Sequence, residues 1–183
     1  MSRLEITTHI MLILVSGVAL IVLGNNFVKT GLLSASGKTR AVSMTPAGSR
    51  HVSNVGDRLL VSSIDWRRSA SNIVIVSRDG CKYCLASLPL YHQISEIRAK
   101  HGGALSVYVI APDATSVTQG ILAHNGITVD AVLQASLESV GAPGTPEVFI
   151  VNSSGVITQR FIGQLDATGE RTLVSDAETL AKL

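Results

Sequence analysis

The chain carries two cysteines, spaced Cys81-Lys82-Tyr83-Cys84. A Cys-x-x-Cys pair can cycle between dithiol and disulfide, or it can supply half of a zinc site. There is no second cysteine pair to complete a four-cysteine zinc centre. Two other readings of the pair remain open. One is two ordinary buried cysteines on one helical face. The other is a copper or zinc site completed by His51, His92, His101 or His124, as in a metallochaperone. Surface positions are the plainer reading of these histidines, and His92 lies about two turns beyond Cys84, a poor distance for a shared ligand.

The surroundings of the pair favour redox chemistry. Asn72-Ile-Val-Ile-Val-Ser77 is a β-branched run suited to a strand buried on both faces, and Asp79-Gly80 interrupts it. A helix is expected from Cys81 to Lys100, with Leu85, Leu88, Ile94 and Ile97 as its apolar stripe and a kink at Pro89. A helix N-terminus carries partial positive charge and free N–H groups, which stabilise a thiolate, the reacting form of cysteine. Cys81 in the first turn is therefore the expected exposed nucleophile, and Lys82 adds a neighbouring cation. Cys84, one turn on, can reach Cys81 and resolve a mixed disulfide. Tyr83, between them, is expected to be exposed and to touch substrate.

Gly144-Thr145-Pro146 stands directly before the apolar strand Glu147–Val151. Proline at the first position of a strand loses no ladder bond and suits a cis turn. Thr145 and Pro146 could then offer a free backbone edge on which a peptide substrate adds as a strand. Glu147 reads as a partly exposed strand residue, with a base or substrate contact as the alternative.

These residues need a scaffold. Arg58–Ile64 reads as a short strand or lead-in, and Asp65–Arg68 as a turn or short helical piece. Leu105–Ile110 is a second buried strand, and Ser116–Asn125 a short helix closed by Gly126. Ile127–Val129 is a candidate strand and Ala131–Val140 a helical stretch. Val156–Ile162 should return on Glu147–Val151 as a hairpin, and Ala167–Leu183 is the last helix. Parallel strands followed by an antiparallel hairpin give a mixed α/β sheet flanked by helices.

The N-terminal part is different in character. Ile6–Val28 carries no charge, and about 20 such residues suffice to cross the hydrocarbon core as a helix. A single-pass membrane anchor over residues 1–28, in contact with lipid through 6–28, is the expectation. A cleaved signal peptide and a buried core helix are the alternatives. Lys29, Lys38 and Arg40 follow the span and Arg3 precedes it, so charge alone mildly opposes export of the C-terminal part. Residues 29–53 are small, polar and glycine-containing, as in a flexible tether, and residues 54–183 form the expected globular domain.

Composition narrows the classes further. With 46% hydrophobic and 15% charged residues the chain is not largely disordered, and its mean hydropathy of +0.37 fits the apolar N-terminal run. A net charge of +2 gives no electrostatic footprint for nucleic acid.

The strand–Cys-x-x-Cys–helix order, Pro89 five residues after Cys84, and Thr145-Pro146 before a hairpin together resemble the thioredoxin superfamily. The Val55-Gly56-Asp57 lead-in, the Gly-Thr-Pro-x-x-Phe-Ile-Val stretch from Gly144 and the apolar N-terminus resemble bacterial membrane-tethered thiol-disulfide oxidoreductases. The resemblance implies a thioredoxin-like fold over about residues 54–183. It implies Cys81 as nucleophile, Cys84 as resolving thiol, Pro146 as cis-proline and Pro89 as a helix-kink proline. It also implies protein thiol or disulfide substrates, a membrane thiol electron donor or acceptor, an extracytoplasmic location, action as a reductant, and no organic cofactor. The sequence departs from thioredoxin itself: Gly80 stands where that family has Trp, Lys-Tyr where it has Gly-Pro, and Ile75 near the place of its buried Asp. A peroxiredoxin-like peroxidase would need Thr or Ser three residues before its cysteine, where Arg78 stands.

Overall fold

The computed structural model describes residues 51–183. The expected membrane span and most of the tether lie outside the described residues. Among the described residues no helix is long and apolar enough to cross a membrane.

Five strands form one sheet: β1 (Ser71–Val76), β2 (Leu105–Ala111), β3 (Ala131–Gln134), β4 (Glu147–Asn152) and β5 (Ile157–Ile162). Their order across the sheet is β3-β2-β1-β4-β5. β1 and β2 run parallel, as do β2 and β3, whereas β4 pairs antiparallel with both β1 and β5. Every residue of β1 and β2 is buried. That explains their unbroken apolar runs, because both faces of a central strand need covering.

Alternation along the strands builds two cores. Ile73, Ile75, Val107, Val109, Val148 and Ile150 face one side. There they meet Leu90, Tyr91 and Ile94 of α2 (Leu88–His101), Leu122 of α3 (Thr115–His124), and Leu173 and Ala177 of α4 (Ala167–Leu180). Val74, Val76, Tyr108, Ile110, Phe149 and Val151 face the other side. That second core is closed by Leu59 and Ile64 of the lead-in and by Val140 and Ala142, segments without helix. A single 3-10 turn, Trp66–Arg68, contributes Trp66, whose ring stands edge-on to Tyr108 with centroids 6.4 Å apart.

Four expectations need correction. The helix expected from Cys81 to Lys100 is two helices, α1 (Lys82–Ala86) and α2, meeting at Ser87. Pro89 lies in the first turn of α2 and has no N–H to give the Leu85 carbonyl, so the ladder breaks there. Leu85 is accordingly exposed, and Leu90 and Tyr91 take its place in the core. Second, Ala131–Gln134 is a strand rather than the start of a helix, and Ile127–Val129 is not one. The exposed edge of β2 offers Ala131–Gln134 a ladder, and that pairing outweighs the local helical preference of Ala, Leu and Gln. Third, of the two readings of Arg58–Ile64, strand or lead-in, the strand falls and the lead-in holds, with one isolated bridge from Arg58 to Val156. Fourth, Ser53, read by composition as tether, is 1% exposed and donates its hydroxyl to the Val140 carbonyl at 3.0 Å.

One ion pair ties helix to sheet. Arg98 of α2 makes two bonds, of 2.6 and 2.7 Å, to the Asp130 carboxylate, which also accepts the Val107 N–H at 2.8 Å. Burial works to raise the Asp130 pKa, but these donors more than reverse it and hold the carboxyl below its usual range. Its stabilising contribution is therefore complete above the unfolded carboxylate pKa of about 3.9 and is lost as pH falls through the lower folded value. Asp130→Ala leaves Arg98 and the Val107 amide without this partner and is expected to cost about 3 kcal/mol at neutral pH. The difference from the wild type should shrink toward pH 2 in urea unfolding, and a constant difference across that range would refute the assignment.

Gly155, in the β4–β5 turn at φ +77°, lies under the Trp66 ring, where an added Cβ would stand 2.9 Å from Cδ1. Gly155→Ala is expected to lower stability by about 2 kcal/mol, read as a lower urea midpoint with an unchanged slope. An unshifted midpoint would show that the ring moves aside freely.

Candidate functional site

β1 ends at Val76, and Ser77–Gly80 carries the chain off the sheet to α1. Cys81 is the N-cap of α1. Its Sγ accepts the Cys84 N–H at 3.2 Å and is joined to Cys84 Sγ in a disulfide. The two Cα atoms are 5.2 Å apart, the reach expected for one helical turn. In the reduced form the same amide would face a thiolate, and an ionised acceptor makes that bond stronger.

The second wall of the site is the segment leading into β4. The Thr145–Pro146 peptide bond is cis, and the Thr145 carbonyl oxygen and Oγ1 each lie 3.6 Å from Cys81 Sγ. These contacts join parts of the chain 64 residues apart. Cys81 is 8% exposed and Cys84 3%. The expected exposed nucleophile is thus largely covered, with the Thr145 carbonyl and hydroxyl against its sulfur. Tyr83 is 49% exposed beside the pair, as expected for a residue turned to solvent. The Lys82 ammonium sits over the Tyr83 ring, 4.7 Å from its centroid, so its charge is held against the aromatic face.

Glu147, expected to be partly exposed, is buried instead. It faces the same side as Phe149 and pairs with Arg160 of β5, whose guanidinium also lies 6.0 Å from the Phe149 ring centroid. Arg160 reaches out to Asn54 Oδ1 at 3.1 Å. Burial pushes the Glu147 carboxyl up, and Arg160 only partly offsets it. The Arg160 partner went unseen in the sequence, where an Arg in a half-buried strand reads as a solvent position. A period-2 alignment of β5 on β4 would have placed the two side chains on one face.

Among the described residues no three His, Cys, Asp or Glu side chains gather as metal ligands. His92, one of the candidate ligands, lies instead 3.7 Å from Glu96, one turn along α2.

No protein-family model matches the chain, and no curated protein matches it. Solved structures do. A protein of Chlorobium tepidum provisionally described as the thiol:disulfide interchange protein DsbE superposes with a TM-score of 0.57 at 16% identity, over 70% of this chain and 99% of its own. The thioredoxin domain of a thiol-disulfide oxidoreductase from Bacteroides vulgatus gives 0.52 at 17% identity, over 67% and 96%. A thiol:disulfide interchange protein from Bacteroides sp. gives 0.51 at 18%, over 72% and 89%. At this level of identity the likeness establishes the architecture: residues 51–183 have the thioredoxin-like fold.

Proposed function

We propose that the chain is a thiol-disulfide oxidoreductase that exchanges the Cys81–Cys84 dithiol and disulfide with protein substrates. The observation that carries this reading is the disulfide itself, closed at a helix N-terminus with Thr145, which precedes the cis Pro146, laid against its first sulfur. The solved structures of this fold include proteins described as thiol:disulfide interchange proteins, which supports it. Cys81 is the attacking thiol because it holds the N-cap, accepts an N–H bond and is the less buried of the two residues. Cys84 resolves the mixed disulfide. Thr145 and Pro146 present the edge that receives the substrate chain, and exposed Tyr83 lies where that chain must pass.

In this reading residues 6–28 anchor the protein in a bacterial cytoplasmic membrane, with the thioredoxin-like domain on the extracytoplasmic side, and a membrane thiol protein supplies its electrons. The reductant direction draws support from the thiolate's surroundings. A dithiol becomes a strong oxidant's product when its reduced form is heavily stabilised. Here Lys82 is held against Tyr83, and α1 is a five-residue helix before the break at Ser87. Both limit the stabilisation of a Cys81 thiolate.

Equilibration of the full-length protein against dithiothreitol or glutathione buffers tests the direction. A reversible two-electron couple near −270 mV, on the order of the thioredoxin value, is expected, whereas a potential near about −120 mV would make it an oxidant. Absence of any intramolecular disulfide across that range would remove the exchange reading altogether. Roles within the pair are separable. Cys84→Ser should trap a mixed disulfide on Cys81 with a small-molecule disulfide, and Cys81→Ser should trap none; equal trapping by the two variants would overturn the assignment.

A further inference from the structure

The end of the sheet away from the cysteines carries groups that thiol exchange does not use. Cys81 follows the last residue of β1, whereas Arg68 and Ser69 precede its first. β2 runs parallel to β1, so Leu105 and Ser106 begin at that same far end. β1 spans six residues, so the two ends stand about 20 Å apart. A cavity of about 250 Å³ lies at the far end, between the 3-10 turn, the close of α2 and the start of β2. Its walls include Arg68, Ser69, Arg98, Gly103, Ser106 and Asp130. A water takes about 30 Å³ of liquid, so the cavity admits a group of several heavy atoms together with water.

Donors are left over on these walls. Asp130 is the one carboxylate among the lining residues, and its oxygens are already taken by Arg98 Nε, Arg98 Nη2 and the Val107 N–H. Arg98 keeps the rest of its guanidinium hydrogens, and the Asp130 charge answers only one of two arginines. Arg68 is exposed and makes no ion pair among the described residues. Ser69 and Ser106, both buried, share one hydrogen bond, Oγ to Oγ at 2.6 Å. Two hydroxyls carry two protons, and this bond uses one. The other proton has no acceptor among the described residues. The Gly103 N–H likewise donates to nothing among them. The α2 C-terminus works against an anion here through its partial negative charge. Against it stands the whole surplus charge of Arg68, and Lys100 and His101 in the last turn of α2 add to the positive side.

We propose that this cavity binds a phosphate-class oxyanion, held between Arg68 and Arg98 with a serine hydroxyl and the Gly103 N–H as further donors. The donors come from the 3-10 turn, from α2, from β2 and from the loop between the last two. A planar carboxylate accepts within its own plane, whereas a tetrahedral phosphoryl group presents oxygens to several walls at once. Guanidinium forks match phosphate oxygens two at a time. Free phosphate and the phosphodiester of an anionic lipid headgroup both supply this chemistry. The site lies apart from the cysteines and stands whether or not they exchange with protein substrates. In the membrane-tethered reading, a headgroup held here would turn the cysteine end of the sheet away from the bilayer.

The test uses the full-length protein with phosphatidylcholine nanodiscs, and radiolabelled inorganic phosphate as the first probe. Equilibrium dialysis, with chloride holding the ionic strength constant, should show saturable binding. Arg68→Gln leaves the Arg98–Asp130 pair intact and is expected to weaken that binding by at least about tenfold, through loss of a charge-assisted contact. Arg68→Lys keeps the charge without the fork and should recover part of the affinity. The second arm adds phosphatidylglycerol to the discs and follows hydrogen exchange over residues 66–70 and 98–106. Protection that appears with phosphatidylglycerol and is lost in Arg68→Gln, without binding of inorganic phosphate, assigns the site to a lipid headgroup. Phosphate binding without that protection assigns it to free phosphate, and both together mean that the cavity takes either. Absence of both, or an Arg68→Gln variant that behaves as the wild type in both arms, would overturn the site.

Discussion

The antiparallel pairing of β4 with β1, with Glu147 opposite Val76, governs the rest of the site. Because the two strands run in opposite directions, the last residue of one and the first of the other share one end of the sheet. The chain leaving β1 carries Cys81, and the chain entering β4 carries Thr145 and Pro146. Their meeting at 3.6 Å thus follows from one strand register. A slip of one residue would turn Phe149 and Val151 out of one core and Val148 and Ile150 out of the other. Four large apolar side chains therefore pin the position of a two-residue active-site edge.

How legible this was depended on whether a residue's neighbours are near in sequence. β1, β2, β4 and the β4–β5 hairpin could be read directly, because runs buried on both faces and a short Gly-containing turn are local signals. The Cys81–Cys84 pair was legible for the same reason. What failed was decided at a distance. Ala131–Gln134 has helix-tolerant residues and becomes a strand because the β2 edge beside it is open. Ser53 looks like tether and is fixed by Val140, 87 residues away. The coverage of Cys81 depends on Thr145, which nothing near Cys81 in sequence announces.

Glu147 shows the same limit with a charge. A lone acid at the start of an apolar strand suggests the solvent, yet its register partners place it over the Phe149 side of the sheet with Arg160. A buried pair of this kind is weak evidence for stability, since desolvating two charges offsets much of their attraction. Its geometric effect is plainer. Arg160 connects Glu147 to Asn54 in the lead-in, so the segment that covers the second core is tied to the residue following Pro146.

The two sulfurs stand in unlike surroundings, and that difference gives the proposed exchange its order. Cys81 has the Cys84 N–H and the Thr145 hydroxyl within reach, two donors that a thiolate can accept. Cys84 looks instead into a pocket walled by Ile75, Val109 and Leu122, where a charge is disfavoured until there is somewhere for its proton to go. In the proposed exchange the first attack therefore comes from Cys81, while the second waits on loss of the Cys84 proton. A thiol that ionised as readily at Cys84 would release mixed disulfides before a substrate was fully engaged. Its apolar pocket delays resolution.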